Sequence, residues 1–409
     1  MTDITVGRRE RKKARTRQAI ADAARALFLE RGFDAVTVKE VAEAADVSMS
    51  GLFKHFPTKE SLVFDEDDDI RHGLVRAVRD RPDAVAALRA LRQWLLDRAR
   101  DLAGDPDTAA FFELIAATPA LSDYGRRMWQ RHEQELAEAI RQAGPDAPGA
   151  GIAARAVARF ALDRSQPCPH IDPQVELDAA FALLSHGWPA PELRRPRHHT
   201  PSAAPPAPAR PPGLRERKKA QTRQAITRAA LELFTERGYD HVGVREIAEA
   251  AEVSPGTLFA HFPDGKASLL FPGDQRDTAA ALVDAVRHRP PGQTIPRALH
   301  GHIARRGPFK PDPTPEEQRV LALIRATPEL TDHALRAWTA AEPALTSAIA
   351  EEAGLPADDP TARLLAHYFL QIPDLAVAEP HAGHALDVIT GVLEHGWPQG
   401  LATGTPPLA

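Results

Sequence analysis

Apolar side chains recur three and four positions apart through much of this chain, and Gly, Pro and hydroxyl residues cut that rhythm into short helices. Ile20, Ala23, Ala24, Leu27 and Phe28 form one stripe, and Gly32 offers the left-handed conformation that closes a helix. Thr37, followed three residues later by Glu40, has the form of a capping box. It predicts a second, short helix on Val38, Val41, Ala42 and Ala45 that ends near Asp46. Val47 then enters a turn, and Ser48 caps a predicted third helix with Leu52, Phe53 and Phe56 on its buried side, stopped by Pro57. Thr58 stands where it can cap a fourth helix carrying Leu62 and Val63. Two short helices joined by a tight turn, behind a basic helix, make a helix-turn-helix.

The same pattern is written twice. Residues 9–64 match residues 215–271 at 37 of 56 positions, with one inserted residue. Fainter echoes follow: Ala117, Thr118 and Pro119 return as Ala326, Thr327 and Pro328, Trp129 as Trp338, and His186-Gly187-Trp188 as His395-Gly396-Trp397. The whole module is therefore duplicated. Residues 70–188 and 274–397 read as helical from their Ala, Leu and Arg content, and residues 189–212 hold nine prolines with little to bury. Such a linker is extended and semi-rigid; at about 3.1 Å per residue it reaches roughly 70 Å. The expected organisation is an all-α chain: a helix-turn-helix domain over 1–64, a helical domain over 65–188, a linker over 189–214, then a second pair over 215–271 and 272–397, with a tail over 398–409.

Composition narrows the function. At 409 residues and 43% apolar content the chain is too long for one ordinary domain and rich enough for several packed cores. A net charge of −5 does not by itself point to a polyanion partner, but the distribution does. Eight of nine lysines (Lys12, Lys13, Lys39, Lys54, Lys59, Lys218, Lys219 and Lys266) fall inside the two matching segments, with Lys310 outside. Cys168 with His170 is too small a set for a zinc site, and His198 and His199 sit in the linker, so neither metal nor cofactor is expected. Paired acid and base, a nucleophile motif, a phosphate loop and His-Glu-x-x-His spacing are all missing, which argues against an enzyme. No run approaches 18 apolar residues, and no apolar run follows the basic start, so a cytoplasmic protein without a membrane span is expected.

Read from Thr37 to Lys59, the pattern T-V-x-x-V-A-x-x-A-x-V-S-x-x-x-L-F-x-H-F-x-x-K resembles the DNA-binding domain of the TetR family of bacterial regulators. The second copy matches from Val244 through Lys266 but has Gly243 where Thr37 stands; it keeps Gly256, which the family usually has and the first copy replaces with Ser50. The resemblance implies double-stranded DNA as partner, repression as the usual mode, and a helical ligand-sensing and dimerisation domain behind each reading head. Its last two helices would occupy residues 153–187 and 362–395, which leads us to expect that the two halves of one chain pair as a pseudo-dimer; pairing with a second chain, as a homodimer, is the alternative. The third helix would present Ser48, Met49, Ser50, Gly51 and Lys54 to base edges in copy one, and Ser254, Pro255, Gly256, Thr257 and Ala260 in copy two. By the same resemblance Thr37, Phe53, His55 and Lys59, with Phe259, His261 and Lys266, would contact phosphates; Lys39 and Arg245 are further DNA-binding candidates. The basic stretches Arg8–Arg17 and Arg215–Arg223 either follow the DNA backbone or are solvated helix faces.

Behind the heads, copy one carries Trp94, Phe111, Phe112, Met128 and Trp129 where copy two has Ile303, Val320, Leu321, Ala337 and Trp338. The extra aromatic surface makes copy one the expected place for an apolar ligand pocket, with plain core packing as the alternative. The stretch around Ala117, Thr118 and Pro119 looks like a TetR subgroup that takes acyl-CoA-like effectors. Pro272 and Gly273 are expected to break the fourth helix of copy two, and the run Asp65–Asp69 to fray that of copy one by like-charge repulsion. Two further readings stay open: a regulator without ligand response, and a protein-interaction scaffold with one non-functional head.

Overall fold

The computed structural model describes residues 8–105, 107–163, 172–188, 214–271 and 275–402, and every regular element among them is helical. The first module comprises α1 (Arg8–Arg31), α2 (Val38–Ala44), α3 (Met49–His55), α4 (Asp67–Val78), α5 (Ala84–Ala103), α6 (Thr108–Ala117), α7 (Pro119–Ala143), α8 (Ala150–Asp163) and α9 (Pro173–His186). The second comprises α10 (Leu214–Arg237), α11 (Val244–Ala250), α12 (Pro255–His261), α13 (Gln275–Arg287), α14 (Ile295–Ile303), α15 (Pro315–Ala326), α16 (Pro328–Thr339), α17 (Glu342–Ala353), α18 (Pro360–Val377), α19 (Ala382–His395) and α20 (Gln399–Ala402). Cys168, His170, the linker prolines and Pro272-Gly273 lie outside the described residues.

The chain divides into two compact units, one of residues 1–146 and 157–181, the other of residues 147–156 and 182–409. In the first unit Ile20, Ala24 and Phe28 of α1 bury against Val41, Ala42, Leu52, Phe56 and Leu62, and Leu121 at the head of α7 closes that core. Phe111, Leu114 and Ile115 of α6 pack on its flank. The second unit repeats the arrangement with Ile226, Phe234, Ile247, Leu258, Phe262 and Leu269, closed by Leu330 of α16 and flanked by Val320 and Ile324 of α15. Each fully buried Leu, Ile or Phe contributes about 1.5–3 kcal/mol, so each reading head is welded to the helices behind it by its own apolar contacts.

The expected fourth helix is corrected in place. Leu62 and Val63 belong to a 3-10 turn at Glu60–Leu62, held by reciprocal bonds in which the Ser61 N–H donates to Thr58 Oγ1 and the Thr58 N–H to Ser61 Oγ, both at 3.2 Å. The true helix, α4, opens on Asp67, Asp68 and Asp69. The acidic run does not fray it, because carboxylates in a first turn face the positive end of the helix dipole. Asp67 is further held by His132 at 2.6 Å and Arg131 at 3.0 Å, and Asp68 by Arg71 at 2.8 Å.

Prolines distinguish the helical domains that follow the two heads. α5 runs 20 residues, whereas its counterpart α14 stops after 9 and gives way to a 3-10 turn at Gly307–Phe309. α7 runs 25 residues, but its counterpart is split into α16 and α17 with Pro343 in the first turn of α17. Proline has no N–H to donate and its ring crowds the carbonyl of the preceding turn, so one long helix becomes two. Pro373 lies inside α18.

Within the second unit the end of α9 meets the end of α19. The Trp188 N–H donates to the Leu393 carbonyl at 2.8 Å and the Trp397 N–H to the Leu184 carbonyl at 2.7 Å. Trp188 and Leu184 are the duplicated counterparts of Trp397 and Leu393, so the two bonds are one contact made twice. Gly187 and Gly396 make this possible. Their φ values are +75° and +79°, and a Cβ on either would stand 2.5 Å from the backbone of Glu394 or of Ser185.

Candidate nucleic-acid interface

Each recognition helix is fixed by a hydroxyl at its start and an apolar back. Ser48 Oγ accepts the Gly51 N–H at 3.1 Å, and Ser254 Oγ accepts the Thr257 N–H at 3.0 Å. Leu52 and Phe56 are buried under α3, and Leu258 and Phe262 under α12. The opposite face is left in solvent. Ser48, Ser50 and Lys54 of the first head and Ser254, Pro255, Gly256 and Ala260 of the second are exposed, while Gly51 and Thr257 are half-buried. Three large apolar side chains are also exposed, Met49 at 39%, Phe53 at 46% and Phe259 at 49%, although burial would remove them from water.

The helix before each reader is capped differently. Thr37 makes the full box: Glu40 Oε2 accepts the Thr37 N–H at 2.7 Å, and Thr37 Oγ1 accepts the Glu40 N–H at 3.3 Å. The Thr37 N–H and the Thr37 hydroxyl, each donating to Glu40 Oε2 at 2.7 Å, with Arg31 at 2.8 Å from Glu40 Oε1, hold the Glu40 carboxyl down at about 2. Gly243 keeps only half of this, its N–H donating to Glu246 Oε2 at 2.7 Å. Lys39 and Arg245 stand exposed on these helices, and Lys39 pairs loosely with Glu43 at 3.6 Å.

The remaining backbone-contact candidates are more enclosed than their sequence positions implied. Lys59 turns inward: its ammonium donates to the Phe33 carbonyl at 2.6 Å and lies 4.2 Å from the centre of the Phe33 ring. Lys266 repeats this against the carbonyl and ring of Tyr239. His55 and His261 are half-buried, each with an Nδ1 that meets no partner among the described residues. Burial, then Arg17 and Lys13, pulls the His55 pKa below the usual imidazole range; burial, then Arg223 and Lys219, does the same for His261.

Arg17, the end of the basic stretch read from sequence as a DNA-backbone or solvated face, turns onto the head and joins three pieces. Its guanidinium donates to the carbonyls of His55 at 2.7 Å and Asp65 at 2.6 Å, and lies 4.3 Å from the centre of the Phe56 ring. α1 is thereby pinned to the end of α3 and the entrance of α4. Arg223 lies over Phe262 in the same way, so an arginine matched between the repeats was the available signal. Beside Arg17 a polar cleft of about 370 Å³ is lined by Asp65, Glu66, Asp69, Trp94 and Arg98. Burial, then Glu66, pushes the Asp65 carboxyl up to about 6.

The five ligand candidates of copy one lie in different packing environments. Trp94 packs its indole on Gly73 of α4, Phe111 packs on the head and under Arg25, and Phe112 stands edge-on to Phe111. Met128 is buried, and Trp129 lies edge-on to His132. An apolar cavity of about 190 Å³ opens in copy two, where Ile303, Val320, Leu321 and Trp338 occupy four of the five aligned positions and all line it.

Among the described residues, no group of three or more His, Cys, Asp or Glu could hold a metal ion, and no helix is long and apolar enough to cross a membrane. Residues 20–65 and 226–271 each match the family described as bacterial regulatory proteins, tetR family, and residues 289–388 match the MftR C-terminal domain. Over 154 residues the chain is 35% identical to the HTH-type transcriptional regulator TcmR of Streptomyces glaucescens, spanning 36% of this chain and 67% of that one. It is 32% identical over 124 residues to the regulator RutR of Escherichia coli K12, spanning 29% of this chain and 57% of RutR. The HTH-type transcriptional repressor Rv1474c of Mycobacterium tuberculosis is 32% identical over 31% of this chain and 63% of its own. Among solved structures, NalD, titled the secondary repressor of the MexAB-OprM multidrug efflux pump in Pseudomonas aeruginosa, aligns at 22% identity and a TM-score of 0.31, covering 42% of this chain and 94% of NalD.

Proposed function

The chain belongs to the TetR family of bacterial helix-turn-helix transcriptional regulators, which bind double-stranded DNA, and from that premise we propose that it is a ligand-released repressor whose single chain supplies both reading heads for an operator with two unequal halves. The observation that carries this reading is the contrast between equal supports and unequal readers. Leu52 and Phe56 are matched by Leu258 and Phe262, while Met49, Ser50, Gly51 and Lys54 face Pro255, Gly256, Thr257 and Ala260. Base pairs differ in the donors, acceptors and methyl groups they show in the major groove, so two such faces select two different half-sites. Their centres fall about 34–36 Å apart or at a multiple of that.

The reciprocal bonds of Trp188 and Trp397 favour a chain that is its own partner, since a contact made twice by duplicated residues is what a subunit interface becomes when both copies share one polypeptide. Repression is supported by the similarity to the transcriptional repressor Rv1474c, and follows physically when the protein occupies DNA that the transcription machinery needs. The cavity of about 190 Å³ in the second module supports an effector that places a small apolar group there.

Selection of binding sites from random DNA, with native mass spectrometry of the selected complex, tests the proposal. One chain on a two-part site with dissimilar halves is the expected result. A perfect palindrome, or two chains per site, overturns it.

A further inference from the structure

We propose that Arg17 is the positioning residue of the first reading head: it sets the recognition helix α3 against α1 and the entrance of α4 through two backbone carbonyls and a ring, and contacts no DNA phosphate. This rests on the two-part operator reading above and names the residue on which base discrimination at one half depends. The basic stretch of α1 is not one surface. Arg11, Lys12, Lys13 and Arg15 stand exposed, whereas Arg17 is half-buried. Its Nη1 donates to the His55 carbonyl at 2.7 Å and its Nη2 to the Asp65 carbonyl at 2.6 Å, and both bonds are charge-assisted. The guanidinium carbon lies 4.3 Å from the centre of the buried Phe56 ring. That places Arg17 on the buried side of α3, away from the exposed Ser50 and Lys54, which helical periodicity sets opposite Leu52 and Phe56.

The reader needs such a clamp. α3 has seven residues, too few for a helix to be stable alone, and ends at His55. The His55 carbonyl therefore has no partner within the helix and stands at its negative end, where a guanidinium is favoured. A planar fork with two donors can hold two carbonyls on separate segments at once; a lysine ammonium is a single point charge on a flexible stem and cannot. The apolar supports of the two readers match, but this polar one does not. Arg223 lies 4.8 Å from the centre of the Phe262 ring, yet among the described residues it donates to no carbonyl, and its Nε is buried without a partner.

Base readout and phosphate contact respond differently to a loose reader. Hydrogen bonds to base edges require side chains held to within about 0.5 Å, whereas contacts to phosphates carry no sequence information. When α3 samples several orientations, its apparent affinity for the correct half-site falls in proportion to the fraction of time spent in the competent one. Loss of the clamp thus lowers affinity for the operator and leaves affinity for random DNA as it was. A lost phosphate contact weakens both alike and flattens the salt dependence.

Binding of the full chain to a selected operator and to random duplex of equal length, across a salt series, tests this with Arg17→Gln and Arg17→Lys. Arg17→Gln is expected to lose about tenfold on the operator, the size of one charge-assisted bond, with random-DNA affinity and salt slope unchanged. Scrambling the first half-site then costs the variant about tenfold less than it costs the unaltered chain, while scrambling the second costs both the same. Arg17→Lys keeps the charge and still falls short of the unaltered chain. A slope flatter by about 0.9, with operator and random DNA weakened alike, puts Arg17 on a phosphate and overturns the proposal. Unaltered binding by Arg17→Gln, or full binding by Arg17→Lys, overturns it too. Hydrogen exchange on the free chain gives a readout without DNA: amides of residues 50–56 exchange faster in Arg17→Gln, those of residues 256–262 do not, and the melt stays cooperative. Should Arg17→Gln unfold the head, Arg17→Lys, which keeps a charged stem beside Phe56, carries the same comparison. Unchanged exchange across α3 in both variants overturns the proposal. If the unaltered chain selects no two-part site, the operator reading fails instead, and exchange alone decides whether Arg17 holds α3.

Discussion

Asp46 and Glu252 occupy the same place in the two helix-turn-helix turns, with φ of +52° and +55°. An L residue in the left-handed region costs roughly 1–2 kcal/mol; Asp relieves part of this through local hydrogen bonding, and Glu does so less. Glu252→Gly is therefore expected to stabilise the second head by up to about 1 kcal/mol, read as a rise in denaturation midpoint, with a smaller gain for Asp46→Gly. A drop for Glu252→Gly would mean that its side chain makes a contact worth more than the strain. Asp65 gives a pH-dependent case. Its carboxyl moves from about 3.9 in an unfolded chain to about 6 when folded, driven by burial. Stability from a group whose pKa rises on folding is fully present below the lower value and is lost as pH climbs through the upper one. Asp65→Asn should thus stabilise the protein by about 1–2 kcal/mol at pH 7.5 and leave it unchanged at pH 3.5, measured by urea denaturation at both. Caps at Thr37 and Ser48 were legible in sequence because they depend on residues three apart. The inward turn of Lys59 was not, because the Phe33 carbonyl it meets lies 26 positions away.

At the scale of elements, the short helices of the heads were readable from their caps and stops, but Thr58 misled. A hydroxyl followed three residues on by Ser61 suits a 3-10 turn as well as an α-helix, and only packing of Leu62 under α1 decides between them. The acidic run misled in the opposite sense: charge counted without position gives repulsion, whereas charge at a helix start gives stabilisation. Proline positions were visible in the sequence, yet their effect on the second helical domain emerges only when α16 and α17 are compared with the unbroken α7. The ends of α9 and α19 carry a sharper expectation. Gly187→Ala and Gly396→Ala each force a side chain into the left-handed region and onto a neighbouring backbone. Each should cost about 2–4 kcal/mol and lower the melting temperature, with the double variant costing less than the sum because both act on one joint contact. Equal tolerance of alanine at both positions removes the clasp from the account.

For the whole molecule the duplication was plain from sequence, and it predicted the two matching cores that the structure contains. The apolar cavity of copy two was not legible, because its lining comes from Ile303, Val320, Trp338 and Leu370, which lie on helices far apart in sequence. Exchanging Met49-Ser50-Gly51 for Pro-Gly-Thr should make the two readers alike and shift selected DNA toward a symmetric site; an unchanged consensus would mean that these residues are not the readers. Lys54→Ala should flatten the logarithmic salt dependence of binding by about 0.9 if that ammonium sits on a phosphate of duplex DNA. The clasp of Trp188 and Trp397, taken as the joint of a self-partnered chain, also bears on dosage and inheritance. A repressor assembled from separate subunits comes apart on dilution, and its active form falls with the square of its abundance. Halves joined in one polypeptide stay joined at any abundance, so operator occupancy follows copy number in simple proportion. A defective allele then has no healthy subunit to recruit, and loss-of-function mutations are expected to be recessive in merodiploid cells rather than dominant.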